Sequence, residues 1–225
     1  MSGFLTLDRS GIVLALLLGL LILLLGGVYF LTVMLLFLCL SAIVTAAGRR
    51  EKGRIGLYES SRSWKNVAAN GIVPLVVALL YRVSVITAHP GISWLLLLVY
   101  VAGVAAITSD KFASEIGVLD GTPTMLLTLK KVKKGRSGAV TWLGLVASLS
   151  GAVVLGVFSL FALAMSNGAY VEIIGIIAVS GFLGNLVDSA FGYYEERGIG
   201  NKYTSNILCA VAGCLIGALL IYLLI

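Results

Sequence analysis

The chain has 225 residues, of which 60% are hydrophobic and only 12% are charged, and its mean hydropathy is +1.08. A water-soluble domain of this length cannot bury so much apolar surface, whereas a helical bundle in lipid can expose it. The net charge of +6 is typical of cytoplasmic membrane loops rather than of a nucleic-acid interface in so apolar a chain. The composition therefore predicts one integral membrane domain over residues 1–225.

The few cysteine and histidine residues exclude several kinds of site. Cys39, Cys209 and Cys214 lie in apolar runs without a CxxC pair, and the single histidine, His89, precedes a proline in a short loop. This pattern indicates no zinc site, no disulfide framework and no catalytic histidine. The first apolar run continues over 11–47 without a small-residue cleavage site, so we expect no cleavable signal peptide.

The apolar runs predict about seven transmembrane helices, because one span needs about 20 apolar residues. Gly26 and Gly27 divide the first long run into helices near 9–25 and 28–47. The remaining helices are expected near 70–86, 92–108, 137–164, 170–190 and 204–225. The fold class is thus an all-α polytopic membrane bundle.

Charge is distributed unequally between the two ends of this bundle. Every Lys and Arg except Arg82, and every acidic residue except Glu172, lies on or near the end that holds the N-terminus. The turns at 26–27, 89–91 and 166–168 belong to the other end and have no basic residue. The positive-inside rule places the N-terminus in the cytoplasm and the C-terminus outside. With a short N-terminus and no transit peptide, we expect a prokaryotic plasma membrane protein with its active site on the cytoplasmic face.

The first of four polar clusters is RSWKNVAANG, residues 62–71. Arg62, Asn66 and Asn70 recur every four residues and share one face of a helix, with Lys65 beside them. Two amides and two cations on one face suit phosphates or a nucleotide base. An ordinary interfacial helix with snorkelling cations is the alternative.

The second cluster is SDKFASEIG, residues 109–117, where the fourth helix ends. It contains Asp110, Ser114 and Glu115. Carboxylates at the interface suit a hard cation, and such carboxylates usually bind a magnesium ion that bridges the phosphates of a nucleotide. For Glu115 a surface ion pair with Lys111, four residues earlier, is the alternative.

The third cluster combines four lysines with a Gly-Arg-Ser-Gly turn at 135–138. Ser137 is expected to cap the fifth helix, so that the backbone N–H groups of Ser137 and Gly138, beside Arg136, form an anion site. The spacing is not that of a Walker A loop. The lysines are expected to contact lipid phosphates.

The fourth cluster is GFLGNLVDSAFG, residues 181–192. Gly184, Asn185 and Asp188 share a helical face near the end of the sixth helix. Close helix packing explains the glycines, but a carboxylate in a membrane helix is functional by default.

Six stretches, 7–11, 62–71, 109–117, 121–123, 135–144 and 181–192, together resemble the membrane family known as domain of unknown function 92. That family includes human transmembrane protein nineteen and the chloroplast phytyl-phosphate kinase of the vitamin E pathway. The resemblance implies a kinase that transfers the γ-phosphoryl group of CTP, or of another nucleoside triphosphate, to a phytyl- or geranylgeranyl-type monophosphate. The partners would be that isoprenyl lipid, the nucleotide and the membrane, with Mg²⁺ as cofactor.

For this activity we expect Asp110, Glu115 and Asp188 to be the catalytic residues and the magnesium ligands. The expected nucleotide- and substrate-binding residues are Arg62, Lys65, Asn66, Asn70, Ser114, Arg136, Ser137, Gly138, Gly184 and Asn185. The attacking phosphate oxygen is already ionised, so no strong general base is needed. The isoprenyl tail is expected between helices, along the glycine stripe of the sixth helix.

Three other functions stay open at this point. A CTP-dependent cytidylyltransferase would leave cytidine on the lipid and release pyrophosphate. A transporter would need polar groups through the membrane midplane, which the first, second and last helices almost lack, and a non-catalytic adaptor would not need three interfacial carboxylates.

Overall fold

The computed structural model describes residues 7–56, 62–163 and 170–224. These residues form six helices: α1 Arg9–Arg54, α2 Trp64–Ile86, α3 Pro90–Ile116, α4 Trp142–Leu163, α5 Tyr170–Glu195 and α6 Lys202–Leu224. Between α3 and α4 lie a 3-10 turn, Gly117–Leu119, and two short antiparallel strands, β1 Thr124–Met125 and β2 Ala139–Val140. Each of these six helices is long and apolar enough to cross a membrane. The all-α membrane bundle predicted from composition is confirmed.

Helix α1 consists of two legs that fold back on each other. Gly27 has φ +80° and ψ −172°, a conformation that glycine adopts readily. The backbone N–H of Asp8, at the start of the first leg, donates to the carbonyl of Arg62 at 3.1 Å. Near the end of the second leg, Thr45 Oγ1 accepts from Arg62 Nη2 at 2.8 Å. Both ends of α1 therefore contact Arg62. The two legs of α1 and the five further helices together agree with the prediction of about seven spans.

Helix α3 lies at the centre of the bundle and packs against all five other helices. Its residues 98–109 are buried on every side, which suits a helix that is apolar all round. A Cβ added at Gly184 of α5 or Gly213 of α6 would lie 2.7 or 2.6 Å from the Cβ of Ala106. The glycine stripe is therefore filled by helix packing. This corrects the expectation that an isoprenyl tail lies along it.

The N-terminus of α4 also differs from the prediction. The helix begins at Trp142, and Thr141 caps it, because Thr141 Oγ1 accepts from the backbone N–H of Gly144 at 3.0 Å. Ser137 is therefore not the N-cap. Gly135 and Gly138, with φ +86° and +76°, keep the preceding segment in a turn. The turn predicted at 166–168 lies outside the described residues.

Candidate functional site

A polar cleft lies at the end of the bundle where α1, α3 and α5 finish and α2 and α6 begin. It contains two adjoining cavities, a hairpin-side cavity of about 240 Å³ next to α1 and α2 and a loop-side cavity of about 320 Å³ next to the 134–141 segment. The residues that line both cavities are Lys52, Asp110, Ser114, Ser137 and Asp188. The polar segments thus gather at one end, as the charge distribution predicts. Which side of the membrane this end faces stays a prediction.

Asp110 of α3 and Asp188 of α5 lie at the boundary between the two cavities. Both side chains line both cavities, and Ser205 lines the hairpin-side cavity with them. Oδ1 of Asp188 is buried without a hydrogen-bond partner among the described residues. An unpaired buried carboxylate oxygen is costly, so this arrangement is suited to a cation. The structure therefore brings together two of the three predicted catalytic acids.

Glu115 of α3 forms two ion pairs at the cleft. It is buried, with Oε2 2.7 Å from Lys52 Nζ and Oε1 3.1 Å from Arg62 Nη2. Gly48 permits this approach of α1, because a Cβ there would lie 2.5 Å from the Glu115 carbonyl oxygen. No group of three or more His, Cys, Asp or Glu side chains in the described ranges is arranged to hold a metal. Glu115 thus anchors two cations, and its ion-pair partners are Lys52 and Arg62 in place of the alternative partner Lys111. Its role as a magnesium ligand stays a prediction.

The hairpin-side cavity has more cations than carboxylates. Its cations are Lys52, Arg62, Lys111 and Lys202, and its carboxylates are Asp110, Glu115 and Asp188. Such a lining suits an anion with several charged oxygens, such as a phosphate. Sequence reasoning did not assign Lys52, Lys111 or Lys202 to a site. A basic residue at the membrane interface has the same sequence context whether its side chain faces a cavity or the lipid headgroups.

The LDRSG segment at 7–11 positions the start of α2. Asp8 Oδ1 accepts from Ser10 Oγ at 2.6 Å and from the backbone N–H of Gly11 at 2.7 Å. The hydrogen bond from Ser10 has the larger effect and that from Gly11 the smaller, and together they lower the pKa of Asp8. Ser10 Oγ in turn accepts from the backbone N–H of Trp64 at 3.3 Å. The segment therefore caps α1 and fixes the backbone next to Arg62.

The remaining residues of the first cluster are separated by the fold. Asn66 lines the hairpin-side cavity, whereas Asn70 lies one turn deeper and donates through Nδ2 to the Asn66 carbonyl at 2.8 Å. Asn70 Oδ1 accepts from Asn206 Nδ2 at 3.5 Å, which connects α2 to α6. Lys65 is exposed outside the cleft, with Nζ 6.0 Å from the ring centroid of Trp64. The predicted binding role of Lys65 is therefore corrected to that of an interfacial residue.

The Gly-Arg-Ser-Gly turn forms one wall of the loop-side cavity. A Cβ at Gly138 would lie 2.6 Å from the Ser189 carbonyl oxygen and 2.6 Å from the Tyr193 nitrogen, both on α5. Gly192 of α5 is equally close to the turn, because a Cβ there would collide with Gly138 backbone atoms. Glycine at 138 and 192 therefore lets the turn dock directly on the α5 backbone.

Carboxylates of the chain itself occupy the anion site predicted at this turn. The backbone N–H of Ser137 donates to Glu196 Oε1 at 2.9 Å, Ser137 Oγ donates to Glu195 Oε2 at 2.5 Å, and Arg136 forms an ion pair with Glu196. Burial raises the pKa of Glu196, but the hydrogen bonds from Arg136 and Ser137 outweigh it and leave this pKa below its ordinary value. Arg136 and Ser137 thus hold the turn against α5, and both also line the loop-side cavity. Their binding of substrate phosphates stays a prediction. Sequence reasoning missed both glutamates, because acidic residues after a helix usually belong to a solvated loop.

Three predicted binding residues remain. Ser114 lines both cavities. Asn185 is 1% exposed, lines the loop-side cavity and donates through Nδ2 to Ser148 Oγ of α4 at 2.9 Å. Gly184 faces α3 and α6, so its role is packing and not substrate binding.

Comparison with known proteins places this chain in a family. The profile of the family described as integral membrane protein DUF92 matches residues 4–223. An uncharacterized membrane protein of Methanocaldococcus jannaschii is 33% identical over 216 residues, which is 95% of this chain and 85% of that protein. Protein PGR of Arabidopsis thaliana is 28% identical over 177 residues, or 71% of this chain and 62% of its own length. An uncharacterized membrane protein of Synechocystis is 32% identical over 129 residues, which is 56% of this chain and 48% of that protein. No solved structure matches.

Proposed function

Since the chain belongs to the DUF92 family of integral membrane proteins, we propose that it is a membrane-embedded prenyl-phosphate kinase. It transfers the γ-phosphoryl group of CTP, or of another nucleoside triphosphate, to a polyprenyl monophosphate and forms the diphosphate. One observation carries the proposal: Asp110 and Asp188 lie at the boundary between two polar cavities. Each cavity would hold the phosphate end of one substrate, and the carboxylates lie where the two phosphates would meet.

The aspartate pair fits a magnesium ion. Mg²⁺ is bound in nucleotide sites through one or two carboxylates together with the phosphates of the substrate. Asp110 and Asp188 supply two adjacent carboxyl groups, and Oδ1 of Asp188 is buried and unpartnered within the described chain. These two residues would hold the ion, which when bound supplies positive charge to the transferring phosphoryl group.

The hairpin-side cavity is assigned to the acceptor monophosphate. Lys52, Arg62 and Lys111 line it and would neutralise the acceptor charge, while Glu115 keeps Lys52 and Arg62 in position. An acceptor oxygen forms a bond to the γ-phosphorus, the bond from that phosphorus to the β,γ-bridging oxygen breaks, and the nucleoside diphosphate leaves with the electron pair. The acceptor oxygen is already ionised, so no general base takes part.

The loop-side cavity is assigned to the nucleotide. It is the larger of the two, and Lys134, Ser137 and Asn185 are among its lining residues. Lys134 is held by Glu51 Oε1 at 3.2 Å and by the Val118 carbonyl at 2.9 Å. A cation in fixed position, in the cavity that Asp110 and Asp188 also line, suits the β- and γ-phosphates of a bound nucleotide.

The test is a transfer assay with purified protein in detergent. The protein receives geranylgeranyl or phytyl monophosphate, Mg²⁺ and CTP or ATP, each nucleotide labelled at either the α- or the γ-phosphorus. We expect γ-label in the prenyl diphosphate and α-label in the nucleoside diphosphate. Asp110→Asn and Asp188→Asn should each reduce transfer by more than about 100-fold, since each removes a preorganised charge at the reacting phosphates. Glu172→Gln is the matched control, because Glu172 lies at the first turn of α5, at the opposite end.

The same assay separates the other enzyme class. A cytidylyltransferase would place α-label in the lipid and release labelled pyrophosphate from γ-labelled CTP. Absence of transfer with either label, across several prenyl chain lengths, would reject both enzymes and favour a transporter or an adaptor.

A further inference from the structure

An apolar groove lies between the two legs of α1 and the first turns of α2. Gly19 of the first leg, Met34 and Leu35 of the second leg, and Gly71 of α2 are among its walls, and its volume is about 110 Å³. Apolar cavities of roughly 150 Å³ stay dry and accept small hydrocarbons, so this groove is suited to a hydrocarbon chain. Leu35 is 49% exposed, so the groove opens sideways toward the lipid.

The groove is continuous with the cationic end of the cleft. Arg62, Asn66 and Lys111 line both the groove and the hairpin-side cavity. Along the second leg the groove extends from Ser41 to Leu31, a distance on the order of 15 Å at the helical rise per residue. A ligand that matches both parts has an anionic head and one extended apolar chain.

Ser41 is an independent indication of a ligand in this groove. Its side chain is 4% exposed, and its hydroxyl has no hydrogen-bond partner in the part of the chain that the structure describes. A helical serine usually donates to the carbonyl one turn earlier, and a buried hydroxyl without a partner is costly. Ser41 lies one turn deeper than Thr45, which contacts Arg62 at 2.8 Å. An oxygen of a ligand just below the phosphate would satisfy it.

We propose that this groove binds the hydrocarbon chain of a single-chain lipid monophosphate. The phosphate lies at Arg62 and Lys111, Ser41 donates to the ester oxygen that joins phosphate and chain, and the chain lies between the α1 legs. The lipid enters sideways from the bilayer past Leu35. This inference rests on the proposed function, because it assigns the acceptor of that reaction to the groove.

The first experiment is photo-crosslinking in phosphatidylcholine nanodiscs, without nucleotide. The probe is a farnesyl phosphate analogue with a diazirine in its last isoprene unit, and labelled peptides are identified by mass spectrometry. We expect the label on the inner faces of the α1 legs, between 15 and 38, and its loss with excess geranylgeranyl phosphate. Geranylgeraniol, which has no phosphate, and phosphatidic acid, which has two chains, should compete poorly.

Two substitutions test the groove directly. Gly19→Leu fills it, because a Cβ at Gly19 meets only Leu31 Cδ1, at an ordinary 3.7 Å, and leucine favours the helix over glycine. Gly19→Leu should reduce specific labelling about fivefold or more, because the leucine side chain occupies space that the hydrocarbon chain needs. Leu16→Phe, which enlarges a side chain that is 70% exposed on the same leg, should leave labelling unchanged. Ser41→Ala should weaken labelling about two- to tenfold, as for one lost hydrogen bond.

The outcomes distinguish this inference from the proposed function. Label spread over outward-facing helix surfaces, full labelling of Gly19→Leu, or equal competition by phosphatidic acid would overturn the groove assignment, even if transfer activity is present. Competed label inside the groove without phosphoryl transfer would support lipid binding and reject the kinase.

Discussion

Two ionised aspartates at the boundary between the two cavities repel each other unless a cation lies between them. Removing one charge from Asp188 should therefore not destabilise the protein in the absence of metal, although the residue is essential for the proposed transfer. We expect Asp188→Asn to unfold at the same temperature as the wild type, or higher, without Mg²⁺. Mg²⁺ with CTP should raise the unfolding temperature of the wild type by mass action and leave that of Asp188→Asn unchanged.

Fluorescence-detected thermal unfolding in detergent measures this difference. Glu172→Gln should keep the full shift with Mg²⁺ and CTP. An equal shift in Asp188→Asn would contradict a magnesium site at the aspartate pair.

Glu115 acts through charge neutralisation inside the protein. Its side chain is 4% exposed and contacts Lys52 and Arg62, which are each 18% exposed. Removing one partner of a buried ion pair costs about 3–5 kcal/mol, because the other charge stays buried and uncompensated. We therefore expect Glu115→Gln to lower the free energy of unfolding by about this amount.

Denaturant unfolding of the reconstituted protein measures that loss. Glu51→Gln is the matched control, since Glu51 is 27% exposed and its ion pair with the partly exposed Lys134 should contribute below about 1 kcal/mol. Similar losses in the two variants would show that Glu115 is not the anchor of the cationic cavity.

At the scale of elements, the loop between α3 and α4 is attached to the C-terminus of α5 through Glu196. The lowered pKa of Glu196 means that its ionised form stabilises the docked turn. This stabilisation is present above the ordinary value of 4.5 and is lost as pH falls through the lower pKa of the docked state. We expect the turn at 135–138 to be docked at neutral pH and released in strong acid.

Hydrogen exchange, expressed as protection relative to the intrinsic rate at each pH, measures turn docking. Amides of 135–140 should lose protection between neutral pH and strong acid, while those of 98–109 in α3 keep it. In Glu196→Gln the protection of 135–140 should be lower at neutral pH and almost independent of pH. A variant with the pH dependence of the wild type would show that another group controls docking.

At the scale of the whole molecule, the unequal distribution of charge predicts orientation in the membrane. The polar cleft collects the segments rich in Lys and Arg, while His89 at the α2–α3 turn lies at the opposite end. The positive-inside rule therefore places the cleft in the cytoplasm and His89 outside. In a background with Cys39, Cys209 and Cys214 replaced, a cysteine at His89 should react with a membrane-impermeant maleimide in intact cells.

A cysteine at Gly121, in the loop at the cleft end, is the matched position. A Cβ at Gly121 has open space around it, so the substitution is tolerated sterically. It should react only after the membrane is permeabilised. The reverse pattern at the two positions would place the proposed active site on the outer face.

The sequence by itself determined what depends on local pattern and composition. Apolar runs of membrane-spanning length require helices, because the lipid core cannot satisfy free backbone groups. The glycine pair at 26 and 27 was sufficient to predict the α1 hairpin. Asp110 and Asp188 could be selected because a carboxylate in an apolar helix is costly unless it has a function.

The tertiary structure alone decided which polar groups meet. Glu115 and Asp110 are five residues apart on one helix, yet Glu115 pairs with Lys52 of α1 and with Arg62 just before α2. Asp110 lies with Asp188 between the two cavities. Arg136 forms an ion pair with Glu196, and most of the walls of the α1 groove are apolar or glycine residues that form no recognisable motif in the sequence. Such partnerships depend on the relative position of distant segments, which helical periodicity and residue type do not contain. The physical reason is that the local pattern fixes the face of a helix, whereas packing fixes what that face meets.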